Sequence, residues 1–299
     1  MKYYLGIDGG GTKTTAIICD ENTQLISRFV GESINYNSVG MDTARKNLKA
    51  TVDGVLPKDM KLNAAFIGMS AISERADDEF TKKLCEGIID CDKITMDSDV
   101  YIGLEAMRCN GSAAMVISGT GSMAVGRLPG GEIIHTGGWG YILGDEGSGY
   151  AICIDALRAA ICGYEGSTEK TLLTDAVKEH YQVNDMPELI DIFYDPPMPR
   201  SEIAKLAPIV FKCAENDSVA DAIIRNHAQL LANTVSALLS QLPEGTPLGL
   251  WGGIFENYEK FRNYFSSNIN ERFPKTEINV LEFAPEYGAV FAAIKTDGE

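Results

Sequence analysis

Residues 3–20 read YYLGIDGGGTKTTAIICD, and this stretch decides the fold. Two apolar segments rich in β-branched side chains, residues 3–7 and 14–19, flank the turn Asp8-Gly-Gly-Gly-Thr-Lys. Segments of this kind predict two strands joined by a tight hairpin. A plain hairpin turn rarely needs three consecutive glycines, whereas glycines allow backbone N–H groups to converge on a phosphate. The pattern therefore favours a phosphate-binding turn over a purely structural one.

A second turn of the same kind, Gly119-Thr-Gly-Ser, separates the strands predicted at residues 113–118 and 123–128. Its glycine spacing matches a dinucleotide-binding fingerprint, but that fingerprint needs a helix directly after the glycines. A strand follows instead, which argues against a Rossmann site, and no Gly-x-x-x-x-Gly-Lys-Ser/Thr motif supports a P-loop. Because residues 3–27 and 113–135 both read strand, turn, strand, turn, strand, the sequence predicts a duplicated α/β fold with a cleft between its halves.

The composition narrows the classes of function. The chain has 299 residues, with 26 Lys plus Arg against 42 Asp plus Glu, and its formal net charge is −16. Such a charge disfavours nucleic acid or an anionic membrane as a partner, and no apolar run reaches the ~18 residues that a membrane span needs. The seven cysteines include no Cys-x-x-Cys pair, which disfavours a disulfide framework, a zinc ribbon or an iron–sulfur cluster. We expect a cytoplasmic protein with reduced thiols and with no nucleic acid or membrane partner.

Apolar spacing predicts most of the remaining elements. Helices are predicted over residues 41–56, 74–89, 100–108, 218–242 and 286–295. Further strands are predicted over residues 24–30, 64–69, 94–96, 132–135 and 247–251. His227 falls beside the apolar stripe of its helix, so we interpret it as a partly buried side chain with satisfied hydrogen bonds.

Taken together, the motifs resemble those of the N-acetylglucosamine kinase and BadF/BadG/BcrA/BcrD ATPase family, within the actin-like ATPase and sugar kinase superfamily. The matching segments are Gly6-Ile-Asp-Gly-Gly-Gly-Thr-Lys-Thr, Ile34-Asn35, Met96-Asp-Ser-Asp, Ser118-Gly-Thr-Gly-Ser, GGWGYILGDEGSG at 137–149 and Leu250-Trp-Gly-Gly-Ile-Phe. The resemblance implies a duplicated ribonuclease H-like (actin-like ATPase) fold with a nucleotide in the cleft. The implied domains are residues 1–112 and 113–284, and a terminal helix, 285–299, returns to the first domain.

The same resemblance implies the site residues and the cofactors, ATP and Mg²⁺. Asp99 matches the catalytic carboxylate of the family, which would accept the proton of a sugar hydroxyl, and Asp8 is the expected magnesium residue. The nucleotide residues implied are Asp8, Gly10, Gly11, Thr12, Lys13, Thr14, Gly119, Thr120, Gly121, Gly252 and Gly253. The substrate residues implied are Asn35, Asp99, Ser122, Met123, Gly138, Trp139, Gly140 and Asp145.

Structural alternatives stay open for several of these residues. The alternatives are a helix N-cap for Asp99, a turn residue for Asn35, a core side chain for Trp139, a cap of the next helix for Asp145, and a helix C-terminal or turn position for Gly252 and Gly253. One departure from the family is Asn216-Asp217, which stands where relatives usually have Gly-Asp before a helix on the adenine side.

We expect an ATP-dependent kinase that phosphorylates the 6-hydroxyl of an amino sugar (N-acetylglucosamine, glucosamine or N-acetylmuramic acid), and we expect a homodimer. The alternatives are an ATPase that activates a partner enzyme, as in the activator branch of the family, and a nucleotide- or sugar-binding regulator without catalysis.

Overall fold

A computed structural model describes residues 1–72 and 74–298 of the chain. The chain divides into two compact units. The first combines Met1–Asn110 with Leu281–Glu299, and the second is Gly111–Val280. Compared with the predicted domains, residues 111–112 fall in the second unit and residues 281–284 in the first.

The first unit is built on one five-stranded sheet. Its strands are β1 (Tyr3–Gly9), β2 (Lys13–Asp20), β3 (Leu25–Glu32), β4 (Ala64–Met69) and β5 (Ile94–Ser98). Its helices before residue 110 are α1 (Tyr36–Val39), α2 (Met41–Val55), α3 (Asp78–Cys85) and α4 (Asp99–Ala106). The strand order is β3-β2-β1-β4-β5, and β1, β4 and β5 are parallel while β2 is antiparallel to both of its neighbours. The carboxyl ends of β1 and β5 therefore lie at the same edge of the sheet.

Strand β1 is buried on both faces of the sheet, which explains the continuous apolar run at residues 3–7. Successive side chains of a strand point to opposite faces. Leu5 accordingly joins one apolar cluster with Leu48 of α2, and Tyr4 joins another with Ile102 of α4.

The second unit repeats this plan with a longer helical part. Its strands are β6 (Ala113–Ser118), β7 (Ser122–Arg127), β8 (Ile133–Gly137), β9 (Leu248–Trp251) and β10 (Ile278–Val280). Its helices are α5 (Gly149–Glu165), α6 (Leu173–Tyr181), α7 (Leu189–Tyr194), α8 (Arg200–Ile203), α9 (Ala207–Cys213), α10 (Ser218–Leu239), α11 (Gly253–Asn257) and α12 (Glu259–Arg272). The strand order is β10-β9-β6-β7-β8. Because β6 pairs antiparallel with β7 and parallel with β9, as β1 does with β2 and β4, the predicted duplication is confirmed.

The last helix, α13 (Pro285–Gly298), belongs to the first unit, where Val290 and Ala293 are fully buried. It packs against β1, β4 and α4. No helix within residues 1–72 and 74–298 is long and apolar enough to cross a membrane.

Some predicted boundaries are wrong. The helix predicted over residues 74–89 forms only over Asp78–Cys85, because Asp77 caps it by accepting the Phe80 N–H at 2.7 Å and Gly87 adopts a positive φ of 74°. The long helix predicted to residue 242 ends at Leu239. Strand β10 and helix α12 were not predicted, although α12 carries buried apolar side chains four residues apart at Phe261, Phe265 and Ile269.

Candidate active site

The glycine turn of the first unit joins β1 to β2. It is closed by the Gly10 N–H, which donates to the Lys13 carbonyl at 3.0 Å. Gly11, Thr12 and Lys13 are exposed, whereas Thr14 is fully buried. The apex of the turn is therefore open to a ligand, and Thr14 lies within the sheet.

Asp8, near the end of β1, lies in an acidic environment. Burial raises the pKa of Asp8 to about 7, the negative charges of Asp99 and Glu286 add to this rise, and Lys13 opposes it. Mg²⁺ at phosphate sites is commonly held by one or two carboxylates together with water and phosphate oxygens. Asp8 therefore fits a magnesium ion that is bound mainly by a nucleotide. No cluster of three or more His, Cys, Asp or Glu that could hold a metal occurs in residues 1–72 and 74–298.

Asp99 is the first residue of α4, directly after β5. The N-cap is Ser98, whose Oγ accepts the Tyr101 N–H at 3.2 Å, so the alternative role of Asp99 as a cap is wrong. Burial raises the pKa of Asp99, while backbone N–H groups, led by that of Val100, lower it. The negative charge of Asp99 also raises the pKa of Asp8, which places the two carboxyl groups in one electrostatic environment. A carboxyl group of this kind is suited to accept a proton from a hydroxyl group.

Asn35 is tied to the end of β1 by two serines. Its Nδ2 donates to Ser70 Oγ at 3.1 Å, and Ser70 Oγ donates to the Gly9 carbonyl at 3.3 Å. Its backbone N–H donates to Ser33 Oγ at 3.1 Å, and Ser33 Oγ donates to the Gly10 carbonyl at 2.9 Å. Asn35 also caps α1 through Oδ1. The turn role of Asn35 is thus present, and it fixes the amide beside the first glycine turn.

The glycine turn of the second unit joins β6 to β7. It is closed by the Gly119 N–H, which donates to the Gly121 carbonyl at 2.9 Å. The carbonyls of Gly119 and Thr120 accept the N–H groups of Gly149 at 2.7 Å and Tyr150 at 3.3 Å. This turn is therefore fastened to the first residues of α5, and a strand follows it, as the sequence predicted.

Asp145 lies against the second turn. A β-carbon added at Gly121 would be 2.8 Å from Asp145 Oδ2. Burial raises the pKa of Asp145, whereas the Ser122 N–H and the charge of Arg200 lower it. The N-cap of α5 is Ser148, so the alternative role of Asp145 as that cap is wrong.

Two serines join the loop after Asp145 to the strands of the second turn. Ser118 Oγ donates to the Gly147 carbonyl at 2.7 Å, and Ser122 Oγ donates to the Glu146 carbonyl at 2.8 Å. The Ser122 hydroxyl is therefore engaged in holding this loop. Ser118 was not predicted as a site residue.

The loop between β8 and α5 presents an aromatic side chain to solvent. Trp139 is 69% exposed, so the alternative interpretation of Trp139 as a core residue is wrong. Tyr141, Ile142 and Leu143 are also exposed. Gly138, which precedes Trp139, lies against the Met123 side chain.

Gly252 and Gly253 join β9 to α11 beside the second turn. Gly252 has a φ of 104°, and a β-carbon there would be 2.4 Å from the Ser118 carbonyl oxygen. Only glycine combines this backbone angle with so close an approach. Gly252 is the N-cap of α11, so its interpretation as a helix C-terminal residue is wrong.

Asp217, in the segment that departs from the family pattern, has a structural role. It is the N-cap of α10, and its Oδ1 accepts the Val219 N–H at 2.8 Å. Its Oδ2 accepts the Thr171 hydroxyl at 2.6 Å.

The structure thus collects the predicted residues into two groups. Within the first unit, Asp8 and the amide of Asn35 lie at the first glycine turn, and the charge of Asp99 acts on Asp8. Within the second unit, Asp145 and Gly252 lie around the second. The sequence missed the serines that hold these groups, although Ser70 and Ser118 stand at the ends of predicted strands, a position that is a usable signal.

Comparison with known proteins identifies the family and the fold of the chain. Residues 5–293 match the BadF/BadG/BcrA/BcrD ATPase family. An N-acetylmuramic acid/N-acetylglucosamine kinase of Clostridium acetobutylicum is 30% identical, and an N-acetyl-D-glucosamine kinase of Dictyostelium discoideum is 28% identical, each alignment covering 98% of both chains. The solved structure of a candidate N-acetylglucosamine kinase from Chromobacterium violaceum aligns with a TM-score of 0.75 at 21% identity, covering 97% of this chain and 98% of that one. The predicted actin-like ATPase fold is confirmed.

Proposed function

The chain belongs to the BadF/BadG/BcrA/BcrD ATPase family, and from this premise we propose that it is an ATP-dependent kinase that phosphorylates the 6-hydroxyl of an amino sugar. Two relatives that match over nearly their full length are named as kinases of N-acetylglucosamine, and one of them also as a kinase of N-acetylmuramic acid. The observation that carries the proposal is the placement of Asp99, a half-buried carboxyl group that is not used as a helix cap and that shares its environment with Asp8.

In this proposal Asp99 is the general base. The sugar oxygen forms a bond to the γ-phosphorus while the bond from that phosphorus to the bridging oxygen of ADP breaks. The proton of the sugar hydroxyl passes to a carboxylate oxygen of Asp99. Because phosphoryl transfer depends mainly on positioning and on stabilisation of charge, one well-placed base is sufficient.

The proposed sugar contacts are the substrate residues that the family resemblance implies. The Asn35 amide and the Asp145 carboxyl group bind hydroxyls, and the exposed ring of Trp139 supplies an aromatic surface for the apolar face of the sugar. Ser122, Met123, Gly138 and Gly140 complete the proposed substrate set, with Ser122 acting through the loop that it holds.

The proposed nucleotide contacts are the two glycine turns. Gly10, Gly11, Thr12 and Lys13 offer an exposed turn and a cation, and Gly119, Thr120 and Gly121 offer the second turn beside Gly252 and Gly253. Thr14 supports the first turn from within β2. When bound with the nucleotide, Mg²⁺ neutralises phosphate charge, and Asp8 is the residue that would hold it.

The proposal is tested by a coupled assay of ADP release with N-acetylglucosamine, glucosamine and N-acetylmuramic acid. We expect ADP release that depends on at least one of these sugars. A rate no higher than the rate without sugar, for every sugar, would contradict the proposal. ATP hydrolysis that is independent of sugar would instead favour an activator of a partner enzyme.

The role of Asp99 has a separate test. We expect Asp99→Asn to retain nucleotide binding and to lose at least ~10²-fold in rate, the lower end for a general base. Asp78→Asn is the matched control, because Asp78 is likewise the first residue of a helix but is exposed at the start of α3. Near-normal turnover of the Asp99 variant would place the base elsewhere.

The homodimer and the cytoplasmic location stay predictions. Light scattering would test the homodimer.

A further inference from the structure

A buried histidine in the second unit has both ring nitrogens engaged. His227 lies on α10 and is 4% exposed. Its Nδ1 lies 3.2 Å from the Gly147 backbone nitrogen, which donates to it, and its Nε2 lies 3.1 Å from Asp155 Oδ2 on α5. Because Nδ1 accepts the Gly147 N–H, the ring proton resides on Nε2 and is donated to Asp155. The contacts therefore specify one neutral tautomer.

The Gly147 N–H takes part in one of the hydrogen bonds that hold the loop after Asp145. The hydroxyls of Ser118 and Ser122 form two others, to the carbonyls of Gly147 and Glu146. The two serines hold the loop from the side of the second glycine turn, and His227 holds it from α10. Asp145 itself contacts this turn, so the position of its carboxyl group depends on how the loop is held.

We propose that His227 is a positioning residue for Asp145, and that it holds the loop after Asp145 only as long as its ring is neutral. Protonation would place a hydrogen on Nδ1 opposite the Gly147 N–H and break that contact. Binding of the sugar should then weaken in acid. This inference rests on the proposed function, because it assigns Asp145 to the sugar.

The charged groups around the His227 ring set the pH range in which it accepts the Gly147 N–H. Burial lowers the pKa of His227, while the negative charges of Asp155 and Glu146 oppose this effect. Arg158 engages the other oxygen of Asp155 at 3.0 Å. With the pKa below its ordinary value, the ring is neutral at pH 7 and the loop is held.

Two variants separate the two hydrogen bonds. In His227→Asn the amide oxygen replaces Nδ1 and can accept the Gly147 N–H, whereas in His227→Gln the amide nitrogen replaces Nε2 and can donate to Asp155. We expect His227→Gln to raise the KM for the sugar by ~5-fold or more, the effect of an unsatisfied buried donor. His227→Asn should change this KM by less than ~3-fold and reduce its rise below about pH 6.5, the ordinary pKa from which burial lowers that of His227. Equal KM values for the two variants, or the same acid dependence in His227→Asn as in the wild type, would overturn the proposal.

A measurement on the unmodified protein covers the case in which both variants fail to fold. The chain has three histidines, so ¹⁵N-histidine NMR can resolve the tautomer of each ring. We expect His227 to show a bare Nδ1 and a protonated Nε2 at pH 7, and the opposite tautomer would overturn the proposal. Since this spectrum needs no turnover, its outcome is separate from that of the sugar assay. A wild type that phosphorylates no sugar would refute the proposed function and leave the tautomer result standing.

Discussion

The two glycine turns share one hairpin plan but differ in what surrounds them. The first has an exposed apex, and the groups beside it are charged, with Lys13 on one strand and Asp8 on the other. The second is fastened by backbone and serine hydrogen bonds to α5 and to the loop that bears Asp145. The difference shows that a duplicated supersecondary unit can provide charge in one copy and a rigid support in the other.

The largest effect is expected when the charge of the first turn is removed. Asp8→Asn should lower the rate by about 10²-fold or more, because several kcal/mol of charge stabilisation through the metal are lost. The measurement is the initial rate at saturating ATP, sugar and Mg²⁺. A variant with the rate and Mg²⁺ dependence of the wild type would show that Asp8 does not hold the metal.

The same variant should be more stable than the wild type when ligands are absent. The pKa of Asp8 is raised from 3.8 to about 7 in the folded chain, so ionisation of Asp8 opposes folding as the pH rises from 3.8 to 7. Asp8→Asn removes this cost, and its Tm should exceed that of the wild type above pH 7 and equal it below the unfolded pKa. Glu286→Gln is the control: it removes one neighbouring negative charge and should lower the pKa of Asp8. Equal Tm values at every pH would contradict this account.

The second turn should be sensitive to the loss of hydrogen bonds rather than of charge. Ser118→Ala removes the fully buried hydroxyl that binds the Gly147 carbonyl, and we expect a loss of ~1–3 kcal/mol in the free energy of unfolding. Thr12→Ala at the exposed apex of the first turn should change it by less than ~0.5 kcal/mol. Urea unfolding without ligands measures both values. Equal losses would show that the two turns are supported alike.

The smallest effect is expected at Arg200, whose guanidinium lies 4.7 Å from the ring centre of Tyr141. The charge of Arg200 lowers the pKa of Asp145, so Arg200→Gln should raise that pKa. Acidification should therefore weaken sugar binding by Arg200→Gln at a higher pH than it weakens binding by the wild type. The shift should shrink with added salt, because Arg200 is exposed. The pH profile of the sugar KM measures this shift, and Arg225→Gln is the control. Identical profiles for the two variants would contradict an effect of Arg200 on Asp145.

The features that could be predicted from the sequence are those encoded within a short stretch of residues. Each hairpin carries its glycines and its strand pattern within about 20 residues, so both turns and the position of Asp99 after a strand could be predicted. The missing part is the set of non-local contacts. Ser70 meets Gly9 across 61 residues, and His227 meets Gly147 across 80, and such pairs leave no periodic trace in the sequence.

Only the three-dimensional structure could show whether a given polar residue caps a helix or is available for another role. Ser98 and Asp99 are adjacent acceptors before a helix, and either can cap it. In the structure Ser98 is the cap, so the Asp99 carboxyl group is not used to cap the helix. Asp217 shows the opposite outcome, because both of its oxygens are used to fix the start of α10.

The hydrogen bonds of Asn35 have one more consequence. Ser70 Oγ gives its own proton to the Gly9 carbonyl, so it receives one from the Asn35 amide, and the orientation of that amide is determined. Nδ2 has a second N–H, and Oδ1, which accepts the Asn37 N–H at 3.1 Å, has a second lone pair. One donor and one acceptor thus sit side by side at a fixed angle, the complement of a vicinal diol.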